Sequence, residues 1–211
     1  MQNPKMKSKL TITKLKKAAK EFCEIESIYK NKDLFGVTDG KAVGTYIEHK
    51  FQSYLDENFI YKKGSSAKGI NLPGKKIYTD IKIASIKQPL SSCPFKDAKQ
   101  KIFGLGYNLL VFVYKKTDND KRKEAVLEFV SCSFLKKERT ADYTTTFRLR
   151  QMLDDGANKE DIVAYLNDQY LPADEITLNL IAEKILQERP KQGYLTISNA
   201  LQWRLQYGRV V

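Results

Sequence analysis

The run NLLVFVYKK, which begins at Asn108, is the feature that most limits the folds open to this chain. The residues after Asn108 are all apolar or aromatic as far as Tyr114. Such a continuous run is typical of a strand that is buried on both faces of a sheet. We therefore predict a central strand over Asn108–Lys115.

A second segment, KKIYTDIKIA, has the alternating pattern of a strand. Every second residue from Ile77 to Ile83 is apolar or a threonine and points to one face, whereas Asp80 and Lys82 point to the other face. We predict a strand over Lys76–Ala84 that neighbours the strand at Asn108–Lys115 in one sheet.

Amphipathic helices are predicted at about residues 5–30 and at Lys41–Glu57 from the spacing of their apolar residues. The turn cluster GVTDG precedes the second helix, where Asp39 or Thr38 can cap it. With strands in the middle of the chain and helices towards both ends, the pattern predicts a mixed α/β fold.

After Arg139 the spacing of apolar residues becomes mainly that of helices. We predict two parts: residues 1–139, with the N-terminal helices and the sheet, and residues 140–211, which are mainly helical. An apolar stripe on the last predicted helix either packs on the sheet part or forms an interface between two copies of the chain. The stripe consists of Leu178, Ile181, Ile185 and Leu186.

Charge favours a polyanionic partner. The 211 residues include 37 Lys and Arg against 25 Asp and Glu, which gives a formal net charge of +12. Such a field attracts nucleic acid, because bound phosphates release condensed counterions. The alternative is a solubilising surface charge of the kind that a lysine-rich proteome carries.

Other classes of protein are disfavoured. The longest apolar runs are shorter than the roughly 20 residues that a membrane span needs, and the basic N-terminus lacks the apolar core of a signal peptide. We therefore expect no membrane partner and a cytoplasmic location. The three cysteines lie far apart, and one histidine, His49, cannot form a histidine metal cage.

Asp80 and Lys82 are the first candidates for chemistry. Two positions apart on a strand, their side chains leave the same face at roughly 7 Å along the backbone. A carboxylate there can hold a divalent ion, and a neighbouring ammonium can orient a water and stabilise charge on a phosphoryl group. An acid-x-Lys pair is also common on ordinary surface strands, so the context must decide.

The order of elements supplies that context: a helix with Glu48, a loop, the strand with Asp80 and Lys82, a short helix and a buried strand. This order resembles the PD-(D/E)xK nuclease superfamily, most closely its type II restriction endonucleases, over about residues 36–135. The closing segment GYLTISNALQWRLQYGRVV also looks like the tail of such enzymes. The resemblance implies a restriction-endonuclease-like mixed central sheet that is flanked by helices.

The resemblance also implies an activity, which is Mg²⁺-dependent, site-specific hydrolysis of double-stranded DNA. Asp80 would ligate the metal ion, and Lys82 would position the attacking water. Glu48 would bind a second metal ion or support the ligands of the first. The position of the family's first metal ligand, an aspartate, matches Asn71 in GINLP.

Asn71 departs from the family's pattern, because asparagine has the shape of aspartate without its charge. Mg²⁺ prefers carboxylate oxygens, so cleavage by this form is in doubt. Three explanations remain open: a different residue aligns with the family's aspartate, the protein is a natural variant, or it was altered to block cleavage.

Several polar and basic residues are candidate DNA contacts. They lie in the basic loop that precedes the acid-x-Lys strand, in the loop and helix that follow this strand, and in the C-terminal segment, where residue types that read base edges are dense. The candidates are Lys68, Gln88, Ser91, Ser92, Lys96, Lys99, Asn199, Gln202, Arg204, Gln206 and Arg209.

The sequence favours a type II restriction endonuclease. The alternatives are a non-cleaving, sequence-specific DNA-binding protein on a nuclease fold and a repair or structure-specific nuclease. One predicted active site per chain must cut two strands of opposite polarity, so a twofold homodimer is the expected assembly.

Overall fold

A computed structural model describes residues 7–64, 69–92, 97–198 and 204–210. Within them the helices and strands follow one another in chain order. They are β1 (Ser8–Lys9), α1 (Ile12–Ile28), β2 (Lys30–Asn31), α2 (Gly40–Asn58), β3 (Phe59–Ile60), β4 (Thr79–Ser85), β5 (Leu90–Ser92), α3 (Lys99–Phe103), β6 (Asn108–Asn119), β7 (Glu124–Leu135), a 3₁₀ turn (Lys137–Arg139), α4 (Tyr143–Asp154), α5 (Lys159–Asp168), α6 (Glu175–Gln187), β8 (Thr196–Ile197) and β9 (Arg204–Gln206).

The chain forms two compact units. The described residues of 1–89 and 109–134 form the first unit, and those of 90–108 and 135–210 form the second. Residues 90–108 thus belong with the C-terminal residues, whereas the division drawn from the sequence groups them with the sheet.

The first unit is built on a four-stranded sheet with the order β2-β7-β6-β4. Its central strand, β6, is buried on both faces, because every residue from Leu109 to Val113 is at most 1% exposed. Both predicted strands are present and adjacent, and helices accompany the sheet, so the predicted α/β class is confirmed. The strand predicted at Asn108–Lys115 continues to Asn119.

Helix α2 begins where the turn cluster predicted it. The Asp39 carboxylate accepts hydrogen bonds from the amides of Lys41 and Ala42 and caps the helix. Helix α1 is shorter than predicted and begins at Ile12, where the Thr11 hydroxyl accepts the Lys14 amide hydrogen bond.

The strand predicted at Lys76–Ala84 begins only at Thr79. The amides of Ile77 and Tyr78 both donate to the Gly74 carbonyl, at 2.8 and 2.7 Å, so these residues form a turn. Tyr78 has a φ of +28°, which side-chain-bearing residues rarely adopt. The alternation of apolar residues therefore extended the predicted strand three residues too far.

The second unit combines helices α3 to α6 with a three-stranded antiparallel sheet of order β5-β9-β8. The C-terminal part is therefore not only helical. Leu178, Ile181 and Ile185 are at most 2% exposed and belong to a core that α5 and α6 share. Of the four stripe residues, Leu186 alone is exposed, at 45%. The other three pack within this unit and are not free to form an interface, whereas the homodimer itself stays a prediction.

No helix in the described part of the chain is both long and apolar enough to cross a membrane. The location predicted from the sequence stays a prediction.

The aromatic cluster between α1, α2 and β6 is expected to dominate the stability of the first unit. Phe51 is fully buried, and its ring centroid lies 5.1 Å from that of Phe22 and 5.0 Å from that of Phe112. We expect Phe51→Ala to lower the free energy of unfolding by about 3–5 kcal/mol, measured by urea denaturation with circular dichroism. The exposed control Ile28→Ala, at the end of α1, should change it by less than about 0.5 kcal/mol.

Candidate active site

A short hairpin sets Asn71 opposite Asp80. Leu72 and Thr79 form an antiparallel bridge and exchange two backbone hydrogen bonds of 3.0 Å each. Asn71 precedes this pair and Asp80 follows it, so the register of the ladder opposes them. The Cβ atoms of directly opposed residues lie about 4.5–5.5 Å apart on one face.

Helix α2 supplies Glu48 at the edge of its apolar face. Ile47 and Phe51 are fully buried in the core, whereas Glu48 and Gln52 are half-buried. Since residues four apart lie on the same side of a helix, the packing of Ile47 and Phe51 fixes the rotation of α2. That rotation leaves the Glu48 and Gln52 side chains together beside the core.

The Asn71 side chain joins α2 to the hairpin. Its Nδ2 donates to Glu48 Oε1 at 2.6 Å, and its Oδ1 accepts the Ile81 backbone N–H at 2.8 Å. The two partners fix the orientation of the amide group, because the Ile81 N–H requires the oxygen as an acceptor and the Glu48 carboxylate requires the nitrogen as a donor. Asn71 therefore fits its surroundings in both polar groups.

Asp80 and Lys82 form an ion pair on one face of β4, as their spacing predicts. Lys82 Nζ lies 2.9 Å from Asp80 Oδ2, and the two side chains are 19% and 5% exposed. The contact lacks hydrogen-bond geometry, so Oδ2 has no hydrogen-bond partner among the described residues. A buried charged oxygen without a hydrogen bond is costly unless another charge compensates it.

The donors in this site suit a divalent cation. Glu48 and Asp80 offer carboxylate oxygens, which hard divalent ions prefer, and the Asp80 oxygen without a hydrogen bond is available to one. Across the described ranges, no group of three or more Asp, Glu, His or Cys residues is arranged to hold a metal ion. The third polar side chain beside them, Asn71, is neutral and adds no negative charge to the two carboxylates.

Gln52 is a member of the site that the sequence analysis missed. Its Nε2 donates to Glu48 Oε1 at 3.1 Å, the same oxygen that accepts the Asn71 amide. Two amide donors thus fix one oxygen of the carboxylate. The available signal was the spacing, because a glutamine four residues after a glutamate on a helix is within reach of it.

The structure describes only some of the predicted DNA contacts. Lys68, Lys96, Asn199 and Gln202 lie outside the described residues, and of Arg204 only the backbone, at the start of β9, is described.

Four candidates from distant parts of the sequence, Arg204 among them, meet in the small sheet of the second unit. Strand β5, with Ser91 and Ser92, pairs antiparallel with β9, where Leu90 is opposite the exposed Gln206. The Ser91 hydroxyl is hydrogen-bonded to the hydroxyl of the buried Tyr207. The sheet thus brings the loop after the acid-x-Lys strand together with the C-terminal segment.

The three other candidates occupy separate positions. The Arg209 guanidinium lies 4.0 Å from the centroid of the Tyr143 ring. Lys99 begins α3, with its backbone amide bound to Asp97. Gln88 is exposed in the first unit.

Comparisons with known proteins identify the family of this chain. A family profile described as type II restriction enzyme NspV matches residues 9–211. The type II restriction enzyme NspV of a Nostoc species is 52% identical over 202 residues, which cover 96% of this chain and 91% of that protein. The chain belongs to the NspV family of type II restriction enzymes. No solved structure matches it.

Membership in the NspV family confirms the resemblance drawn from the sequence. Enzymes of this type are site-specific deoxyribonucleases that act on double-stranded DNA and generally use a divalent metal ion. The alternatives of a binding-only protein and of a repair nuclease are not favoured by this membership. The roles of the individual site residues stay predictions.

The contact between Gln52 and Glu48 can be tested through cation binding. Gln52→Leu keeps the size of the side chain but removes one of the two amide donors to Glu48 Oε1. Loss of a residue that orients a metal ligand typically costs about 10- to 100-fold in metal affinity. We expect a loss in that range for Ca²⁺ or Mn²⁺, measured by isothermal titration calorimetry.

Ser53→Ala is the matched control, because Ser53 is the next residue of α2 and is exposed. It should leave the affinity unchanged. If Gln52→Leu bound the cation as tightly as the control, Gln52 would not position a ligand.

Proposed function

We propose that this chain cleaves double-stranded DNA at a specific sequence with Mg²⁺ as its cofactor, and that Glu48, Asn71, Asp80 and Lys82 form the active site. One observation carries the proposal. The buried Asp80 carboxylate contacts the Lys82 ammonium on β4. Between them, the backbone amide of Ile81 donates to the Asn71 side chain, and the Asn71 side chain donates to Glu48.

Asp80 is the principal cation ligand in this proposal, through the carboxylate that has no hydrogen bond at Oδ2. A bound divalent ion supplies charge stabilisation at the phosphoryl group and lowers the pKa of a water molecule. Lys82 holds the attacking water by hydrogen bonding and stabilises negative charge that develops on the phosphate oxygens. Its half-buried ammonium is already oriented by the contact with Asp80.

Asn71 takes a weakened ligand position. Its Oδ1 accepts one hydrogen bond from the Ile81 amide, and a carbonyl oxygen has two lone pairs, so one remains for a cation. The amide contributes no charge, however, and its Nδ2 presents hydrogens to Glu48. Glu48 then supports Asn71 or binds a second cation through its other oxygen. A lower cation affinity than that of a site with a third carboxylate follows.

Asn71→Asp tests this account. An oxygen would replace Nδ2 at 2.6 Å from Glu48 Oε1, so two carboxylates would repel each other until a cation lies near both. We expect lower thermal stability without metal and a cation affinity that is higher by about tenfold or more. Cleavage of plasmid DNA as a function of Mg²⁺ concentration measures the change in cation affinity.

The control carries Asp80→Asn together with Asn71→Asp and should not cleave, because it restores the original charge but loses the principal ligand. If the unaltered chain cleaves as fast as the Asn71→Asp variant at low Mg²⁺, Asn71 is a competent natural residue of the site. If neither form cleaves in Mg²⁺, the proposed active site is wrong.

Double-strand cleavage also bears on assembly. One active site per chain must reach two strands of opposite polarity, and a twofold homodimer on a palindromic site does this with symmetric contacts. Since Leu178, Ile181 and Ile185 are buried within one chain, the interface has to use another surface.

We expect two chains per duplex in light scattering of the protein with a short duplex that contains the recognition sequence. The measurement is made in a buffer with Ca²⁺ or without divalent ions, so that the DNA is not cleaved. One chain per duplex would contradict the homodimer and favour sequential nicking by a monomer.

A further inference from the structure

A cavity of about 540 Å³ in the first unit is lined by four lysines that the mechanism does not use. They are Lys9, Lys62, Lys75 and Lys76, and we call the cavity the lysine pocket. Its lysines come from three separate segments of the chain, which the fold brings to one place. All four are exposed.

The charge of the lysine pocket is not compensated within the described part of the chain. None of its lining residues is acidic, and none of its four lysines makes an ion pair with a described residue. The carboxylate of Asp56 accepts a hydrogen bond from Tyr61, which lines the pocket, but Lys63 already neutralises it. Four like charges held together without a counterion favour a polyanion.

The walls between the charges are apolar. Leu10 and Ile77 are buried beneath the pocket, and Ile60 is 62% exposed at its side. A ligand with alternating anionic and less polar groups matches this arrangement. The sugar-phosphate backbone of DNA has that alternation, and lysine is a point-charge donor well suited to phosphate.

The pocket also lies close to the candidate active site. Residues Gly74 to Ile77 form the turn of the hairpin whose two arms carry Asn71 and Asp80. Lys76 and Asp80 are four positions apart in the chain, so their Cα atoms are at most about 14 Å apart. Phosphates of one DNA strand rise by about 3.4 Å each, so the pocket is within about four phosphates of the cleaved bond.

We propose that the lysine pocket binds the backbone of duplex DNA beside the cleaved phosphodiester. This rests on the proposed function, and it adds contacts that the sequence analysis did not assign. The pocket anchors the strand through contacts to its sugar-phosphate backbone, so it contributes equally to every DNA sequence. It positions the DNA on the hairpin that carries the acid-x-Lys pair.

Salt dependence of DNA binding tests the proposal in the absence of divalent ions. The logarithm of the binding constant falls with the logarithm of salt concentration, with a slope of about 0.9 for each phosphate contact. We expect Lys75→Ala with Lys76→Ala to reduce the slope by about 1.8 on cognate and unrelated duplexes alike. Lys9→Ala with Lys62→Ala, which removes the pocket lysines of the other two segments, should reduce the slope by the same amount. Fluorescence anisotropy measures the binding constants of both double variants.

The control is Lys16→Ala with Lys32→Ala, which removes the same charge from exposed positions of the same unit that do not line the pocket. It should change the slope by less than half as much. Equal changes in pocket and control pairs would overturn the proposal, because net charge alone would then govern binding. A slope near zero for the unaltered chain would instead contradict DNA binding, and with it the proposed function.

Discussion

The hydrogen bonds of the Asn71 side chain are the contacts on which the candidate active site depends. One bond reaches Glu48 on a helix and the other reaches the backbone at Ile81, so a single amide fixes the helix against the hairpin. The helix itself is positioned by the burial of Ile47 and Phe51 in the aromatic core. Stability of the core and precision of the site are therefore linked, because rotation of α2 would separate Glu48 from Asn71.

The amide also explains how the site holds together with few charges. A carboxylate at position 71 would repel both Glu48 and Asp80, and the Lys82 ammonium would offset part of this negative charge. An amide removes that repulsion and replaces it with a hydrogen bond to a charged acceptor, which contributes about 1.5–3 kcal/mol. The cost is one charge fewer for a cation. In the proposed active site, Asn71 thus lowers the affinity for a cation and orders the site before any cation binds.

Sequence patterns predicted the parts of this structure that depend on local order. The apolar run gave the central strand at β6, and the spacing of Asp80 and Lys82 gave a pair that contacts on one face. Patterns of this kind cannot detect contacts that depend on tertiary structure. The alternation of apolar residues predicted a strand that includes Tyr78. In the structure the amides of Ile77 and Tyr78 both donate to the Gly74 carbonyl, and these hydrogen bonds impose a turn. Likewise nothing local pairs β5 with β9, more than a hundred residues away, and a helical stripe does not reveal whether its partner is the same chain or a second copy.

The positive charge of the chain has two physical roles, which the net charge of +12 does not separate. Lys50 is an example of the first role: it binds the buried Glu26 at 2.7 Å and lies 3.4 Å from the centroid of the Tyr29 ring. Burial raises the pKa of the Glu26 carboxyl above its usual range, and the nearby Lys50 limits that rise, so this lysine stabilises the fold. Exposed lysines without acidic partners lose nothing when a phosphate approaches, because no ion pair has to be broken. Lysines of this second kind remain available to DNA phosphates, and the lysine pocket is a place where four of them lie together.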